Sequence, residues 1–436
     1  MSQDNKASRR QFLKNGSVAV AGTAVTTGLT TRTTPVHAAG SDVLRIGLVG
    51  CGGRGTGAAN QALRADPNTK LVAMADAFQD QAERSLKQLK AAEKISQQVQ
   101  VDSDHVFSGL DAYKHVIDSC DVVLLCTPPG FRPLHLRAAV EAGKHVFTEK
   151  PMASDSAGVR SAIESVELSK KKNLAVLAGF CWRYDNQKQA LFEKIHEGEI
   201  GDVRAVYGTY LVGPVKPMPQ ADTRPSGITD LEWMVRNWYN FAWLSGDGLV
   251  EQACHTADWL AWTFNDVPPV SCTAVGGRQI PAHGGDIYDH VEINYVWDNG
   301  ARAFLAQRQI PGCYNQNSLY IMGTKGNATL TRGSRITDLE GNLVWKYRGL
   351  GNNMYQTEHD EFFASIRSGD HINDGDRMMK STLLAIMGRT AGYTGQEITW
   401  DMAMNSKETL VPEVTDGWNT PVSMREIPLP GLTKFI

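Results

Sequence analysis

The sequence predicts an α/β protein: an N-terminal doubly wound parallel sheet, then an α+β region built on a large, mostly antiparallel open sheet. Three observations carry this. Short β-branched runs alternate with helical stretches between residues 42 and 180, the pattern of a parallel sheet with helices on both faces. From residue 181 the runs lengthen and follow one another at hairpin-like spacing, which antiparallel strands allow and parallel ones do not. All 10 tryptophans lie at or beyond residue 182, so the two regions differ in composition as well as in pattern.

Composition removes several classes. Of 436 residues, 42% are hydrophobic and 21% charged, a globular mix with enough apolar side chains for a real core. No apolar run reaches the ~18–20 residues a bilayer span needs, so no stable membrane span is expected. The formal charge is −3, with no basic block beyond residues 170–172, so nucleic acid is not an expected partner.

Residues 43–49 read as a buried strand that runs into Gly50-Cys51-Gly52-Gly53-Arg54-Gly55, opening a helix over 53–64. In such a turn the first glycine makes the bend, the second admits a pyrophosphate and the third lets helix pack on strand. The helix N-terminus offers free N–H groups to the phosphates. A second strand, 71–75, ends in Asp76, 21 residues past Gly55. An acid there binds ribose hydroxyls and repels a 2′-phosphate. No arginine intervenes before Arg84, so NAD is the expected cofactor. Strands at 121–126, 144–148 and 173–180 alternate with helices at 80–95, 133–142 and 155–172 and complete a Rossmann unit. Ligands bind at the carboxyl ends of such strands. Thr127 and Pro128 follow one strand, and Glu149 and Lys150 the next. With Gly50, Gly52, Gly53, Arg54, Gly55 and Asp76 they form the expected cofactor-binding set.

In the second region, strands are expected at 203–212, 270–279, 289–297, 301–309, 319–323 and 328–331. Between the first two lies a predicted helix over 246–262. At 100° per residue Glu251, His255, Asp258 and Trp262 share one face, with Leu249, Ala253, Ala257 and Leu260 opposite. A carboxylate at i, i+4 from an imidazole can tune it as a general base. A solvated face with an accidental Glu–His pair fits the same spacing. Five aromatics crowd residues 233–243, either as core or as a wall against the C–H faces of a sugar. Trp238, Asp258, His290 and the post-strand segment Trp182-Arg183-Tyr184 are the candidate substrate contacts. No metal site is expected.

The N-terminus carries Ser8-Arg9-Arg10-Gln11-Phe12-Leu13-Lys14, a small-residue apolar stretch over 16–29, and Val36-His37-Ala38. This is the three-part layout of an export signal, and its paired arginines resemble the twin-arginine type. Cleavage after Ala38 takes the formal charge from −3 to −7, because 1–38 holds five basic residues and one acid. The expected location is the periplasm. The seven cysteines contain no C-x-x-C pair and read as small buried hydrophobes. Folding in a reducing compartment before export accounts for that. The expected division is therefore 1–38, signal; 42–180, NAD-binding domain; 181–405, substrate and oligomerisation domain; 406–436, tail.

Taken together, G-C-G-G-R-G with Asp76, then Glu149-Lys150-Pro151, then Glu251-x-x-x-His255 resemble the Gfo/Idh/MocA family of glucose–fructose oxidoreductase and inositol dehydrogenase. The resemblance runs from about Val43 to Met404. It implies that Lys150 sits beside nicotinamide and substrate hydroxyl, that His255 is the catalytic base, and that the chain pairs into homodimers or homotetramers. The family usually has Asp where this chain has Glu251, which is expected to orient or charge-tune His255. The expected activity is NAD-dependent oxidation of a sugar, glycoside or cyclitol hydroxyl, with the cofactor held tightly. The alternative is an NAD-dependent glycosidase working through transient C3 oxidation, elimination, water addition and re-reduction. A non-catalytic sugar-binding protein is a third reading, against which intact Lys150 and His255 argue.

Overall fold

Strands β1 (Leu44–Val49), β4 (Val122–Leu125) and β5 (His145–Thr148) are buried almost throughout, as strands covered on both faces must be. With β2 (Thr69–Asp76), β3 (Val106–Ser108) and β6 (Val176–Ala178) they form one parallel sheet, ordered β3-β2-β1-β4-β5-β6. This computed structural model describes residues 42–280 and 284–436; the expected signal, 1–38, lies outside the described residues. The crossovers carry α1 (Gly53–Ala65), α2 (Gln79–Lys90), α3 (Tyr113–Ser119), α4 (Arg132–Glu141) and α5 (Ser156–Lys171). The sequence reading passed over β3 and α3. It also ran α2 five residues too far: Ile95 is buried, and the chain turns there into a short 3₁₀ turn.

Among the described residues the second sheet has nine strands. They are β7 (Val203–Val212), β8 (Ser271–Gly277), β9 (His290–Val296), β10 (Arg302–Gln309), β11 (Gln316–Gly323), β12 (Gly326–Leu330), β13 (Ser334–Asp338), β14 (Leu343–Lys346) and β15 (Ile398–Thr399). Their order is β14-β13-β12-β11-β7-β10-β9-β8-β15. Only β7 and β10 pair in parallel; the other ladders are antiparallel. In β10 every second residue is buried, so one face of the sheet packs inward.

Helices of this region are α6 (Asn186–His196), α7 (Asp230–Arg236), α8 (Ala242–Ser245), α9 (Gly248–Glu251), α10 (Cys254–Thr263), α11 (Met354–Ser368), α12 (Gly375–Thr394) and α13 (Trp400–Asn405). α11 packs on α1, and α12 packs on β8, α10 and α5. No described helix is long and apolar enough to cross a membrane. The single helix expected over 246–262 is two helices, broken at Gln252–Ala253. Glu251 and His255 still line one cavity across the break, whereas Asp258 and Trp262 lie further along α10, beyond it.

Candidate active site

The glycine-rich turn is shaped by two close approaches. Gly50 has φ +94°, and a Cβ there would lie 2.6 Å from the Cys126 carbonyl carbon. A Cβ on Gly55 would lie 1.8 Å from the Gly50 oxygen. Only glycine lets α1 begin this close to β1 and β4. Around Gly52 and Gly53, by contrast, a Cβ would meet nothing within 4 Å. The helix N-terminus therefore opens onto free space, a cradle suited to a pyrophosphate. At the end of β2 the Asp76 carboxylate accepts from Cys51 N–H at 2.7 Å and Phe78 N–H at 3.1 Å. Burial raises its pKa, against those two hydrogen bonds.

All the expected cofactor residues, Gly50, Gly52, Gly53, Arg54, Gly55, Asp76, Thr127, Pro128, Glu149 and Lys150, line one cavity of about 900 Å³. Arg54 is held inside it by Glu149, 2.7 Å away, with fully buried Glu358 at 4.0 Å. Burial, reinforced by Glu149, holds the Glu358 carboxyl well above the usual range.

Glu251 and His255 line the same cavity, but not as a pair. The Glu251 carboxylate belongs to Lys150: Nζ donates to Oε1 at 2.9 Å and also to the Glu251 carbonyl. The other carboxylate oxygen accepts from Gln252 Nε2 at 2.5 Å, and Gln252 Oε1 accepts from Tyr210 O–H at 2.5 Å. Burial disfavours the Lys150 ammonium, yet Glu251, with Cys254 and Glu149, outweighs it and raises the pKa. His255 is oriented by rings rather than by an acid. Trp182 stacks on it at 4.6 Å, and Phe180 meets it edge-on at 6.2 Å. Burial first, then the charges of Lys150 and Lys188, push its pKa well below 6.5. The imidazole is neutral, and its Nδ1 has no hydrogen-bond partner among the described residues.

The expected substrate contacts divide. Trp238 lines the cavity. Trp182 acts one layer back, between His255 and Trp259. Arg183 and Asp258 are locked together: Arg183 Nε and Nη2 bond both Asp258 oxygens at 2.9–3.1 Å, and Nη1 and Nη2 reach Asp266. Tyr184 gives its hydroxyl to Asp374, and His290 pairs with Asp289 at 2.7 Å. None of Arg183, Tyr184, Asp258 or His290 lines the cavity. Trp262 likewise turns to Phe192 and Arg183.

Sequence reasoning missed Arg132, His135, Tyr239, Gln252 and Arg236, all cavity-lining. Buried Arg132 donates to the Thr127 and Pro151 carbonyls, tying the ends of β4 and β5 together. His135 contacts the Thr127 hydroxyl at 3.1 Å, and burial lowers its pKa to about 3. Gln252 stood next to Glu251, and Tyr239 and Arg236 lie within the aromatic segment 233–243 already read as core or wall; Arg132 and His135 had no such signal. Arg236 comes from the second region to the Asp76 end of the cavity, where Glu232 pairs with it at 2.7 Å.

Residues 44–180 match the oxidoreductase family with an NAD-binding Rossmann fold, Gfo/Idh/MocA, and residues 189–329 match the GFO/IDH/MocA C-terminal domain. The chain belongs to the Gfo/Idh/MocA oxidoreductase family. It is 26% identical over 348 residues to an inositol 2-dehydrogenase of Rhizobium meliloti, covering 76% of this chain and 92% of that protein. It is 29% identical over 213 residues to "Glycosyl hydrolase family 109 protein 2" of Shewanella sp. ANA-3, covering 44% and 45% of the two chains. In fold it is similar to aldose-aldose oxidoreductase from Caulobacter crescentus, with TM-score 0.64, 18% identity, and coverage of 82% and 99%. Family and cavity together make this an NAD-binding oxidoreductase site.

Proposed function

We propose that the protein oxidises a hydroxyl of a sugar, glycoside or cyclitol, using NAD that it holds tightly. The observation that supports this best is a charged Lys150 and a neutral, ring-clamped His255 on one wall of the dinucleotide cavity. NAD, when bound, supplies the hydride acceptor. His255, already neutral, takes the hydroxyl proton. An ammonium has three N–H donors; two serve Glu251, which leaves one for the substrate oxygen as negative charge develops there. Glu251 thus serves Lys150 rather than His255. Trp238 supplies a flat apolar surface on the cavity wall. Similarity to inositol 2-dehydrogenase supports the substrate class.

The test is absorbance of NADH during incubation with inositols, aldoses and glycosides. Substrate-dependent NADH formation, lost in His255→Ala, supports the assignment; His255→Ala turning over at the wild-type rate sinks it.

Similarity to the Shewanella protein favours a second reading, a glycosidase in which oxidation is transient and the net reaction is hydrolysis. Turnover of a nitrophenyl glycoside without added NAD supports it; accumulation of a keto sugar supports the dehydrogenase. We also propose export by the twin-arginine route to the periplasm and assembly as a homo-oligomer. Seven free cysteines are consistent with folding before export.

A further inference from the structure

The tail, 406–436, lies beyond both family matches, which end at residue 329, yet it is fastened along its length. Leu410 N–H donates to Asp155 at 2.7 Å, Gly431 N–H to the Thr394 carbonyl at 2.9 Å, and Tyr288 O–H to the Pro428 carbonyl at 2.8 Å. Midway, the Trp418 ring stacks on Phe78 with centroids 5.4 Å apart and planes 15° apart. The Arg236 guanidinium lies 4.0 Å from the same Phe78 ring. Phe78 follows Asp76 by two residues, gives it its N–H, and lines the cavity together with Arg236. One apolar cluster joins these pieces: buried Leu231, Trp233, Leu244 and Leu410, with Phe78 and Trp418 packed against them. Three segments distant in sequence, namely the β2–α2 turn, the α7 region and the tail, therefore meet at the ribose end of the cavity.

We infer that the tail is a clasp that retains the dinucleotide, and that Trp418 is its positioning residue. Phe78 is held by stacking from outside the cavity, so the wall beside Asp76 cannot swing open unless the Trp418 contact breaks. A bound dinucleotide then leaves slowly, as the tight hold on NAD proposed above requires. The inference deepens the proposed retained-cofactor reading and rests on it.

The test uses the full chain loaded with NADH and mixed with excess NAD, with the decay of bound-NADH fluorescence giving the release rate. Trp418→Ala is expected to release about tenfold faster, since a stacked aromatic contact of this kind is worth about one factor of ten. Trp418→Leu, which keeps apolar volume but loses the flat ring, is expected to follow it. Trp418→Phe stays within about threefold of wild type, because stacking survives. Melting curves for each variant separate release from unfolding, and if Trp418→Ala does not fold, Trp418→Leu decides. Release at the wild-type rate from variants that bind NADH overturns the clasp alone. A wild-type chain that takes up no NADH overturns the retained-cofactor reading with it.

Discussion

Two buried ion pairs, one made by α9 and one by α10, resemble each other on paper: Lys150–Glu251 and Arg183–Asp258. The side chains of the first are 10% and 9% exposed, those of the second 5% and 1%. Their hydrogen-bond accounts differ. Arg183 spends its Nε, Nη1 and Nη2 donors on Asp258 and Asp266, and Ser381 adds a further bond to Asp258 at 2.7 Å. One Nη1 N–H is left, but Arg183 does not line the cavity, and the pair fixes the loop after β6 against α10. Lys150 keeps a donor in reserve and faces the cavity. A buried pair away from the cavity is scaffold; one on the cavity wall with a donor to spare is equipped to act.

The sharpest way to break the contrast is on the scaffold side. Asp258→Ala leaves the Arg183 charge with only the partly exposed Asp266, and breaking a buried pair costs about 3–5 kcal/mol. Denaturant unfolding should show a loss of this size, the largest of the set. Lys150→Met should do the reverse. It lowers kcat about 10²–10³-fold, the usual cost of removing a donor to a developing oxyanion, and destabilises the fold less than Asp258→Ala does. If Lys150→Met unfolds the chain while Asp258→Ala stays folded and loses turnover, the two roles are exchanged.

The same contrast explains what could be read from the sequence. The cofactor end is made of backbone and glycines at fixed offsets from a strand, so Gly50, Gly52, Gly55 and Asp76 were legible without any tertiary information. Glu149 and Lys150 were legible because a parallel sheet places its strand ends at the ligand. The wall that carries Lys150, Glu251 and His255 is made of side chains whose partners are set by packing between distant segments. Glu251 was found, but its partner, Lys150, is 101 residues away and invisible to a helical wheel. The wheel also put Asp258 on the face of His255, but Asp258 lies a turn further along α10, outside the cavity, and is taken by Arg183. Arg183 was drawn in by adjacency to Trp182, yet neighbours in a 3₁₀ turn point in different directions: Trp182 to His255, Arg183 to Asp258. Arg132 and His135 sit in an ordinary-looking helix start and carry no local signal.

A smaller effect probes how Glu251 is held. Tyr210→Phe removes one hydrogen bond, to Gln252, leaving the Gln252–Glu251 bond without its anchor. A neutral hydrogen bond is worth about 1 kcal/mol, so kcat should fall about fivefold with KM little changed. Gln252→Leu should lower it further. Equal falls in thermal stability and activity would make Tyr210 a packing residue only.

The smallest expected effect concerns the charges that surround His255. A general base works in its neutral form, so its activity is present above its pKa and lost as pH falls through it. Here burial, then Lys150, then Lys188 depress that pKa well below 6.5. The acid limb of kcat/KM should therefore lie below pH 6.5, and turnover should persist as pH drops through that value. Lys188 is outside the cavity. It lies 5.8 Å from the Trp182 ring and pairs with Asp185 at 2.9 Å. Lys188→Met removes the weakest of the three causes and leaves Lys150, Glu251 and the Trp182 stack in place. The acid limb should move up by less than about one pH unit, the scale on which one screened charge acts. A limb that stays fixed means the rate is governed by some other proton, and His255 loses its place as the base. A limb that moves down means the Lys188 charge had been favouring the imidazolium, which like charges at this separation do not do.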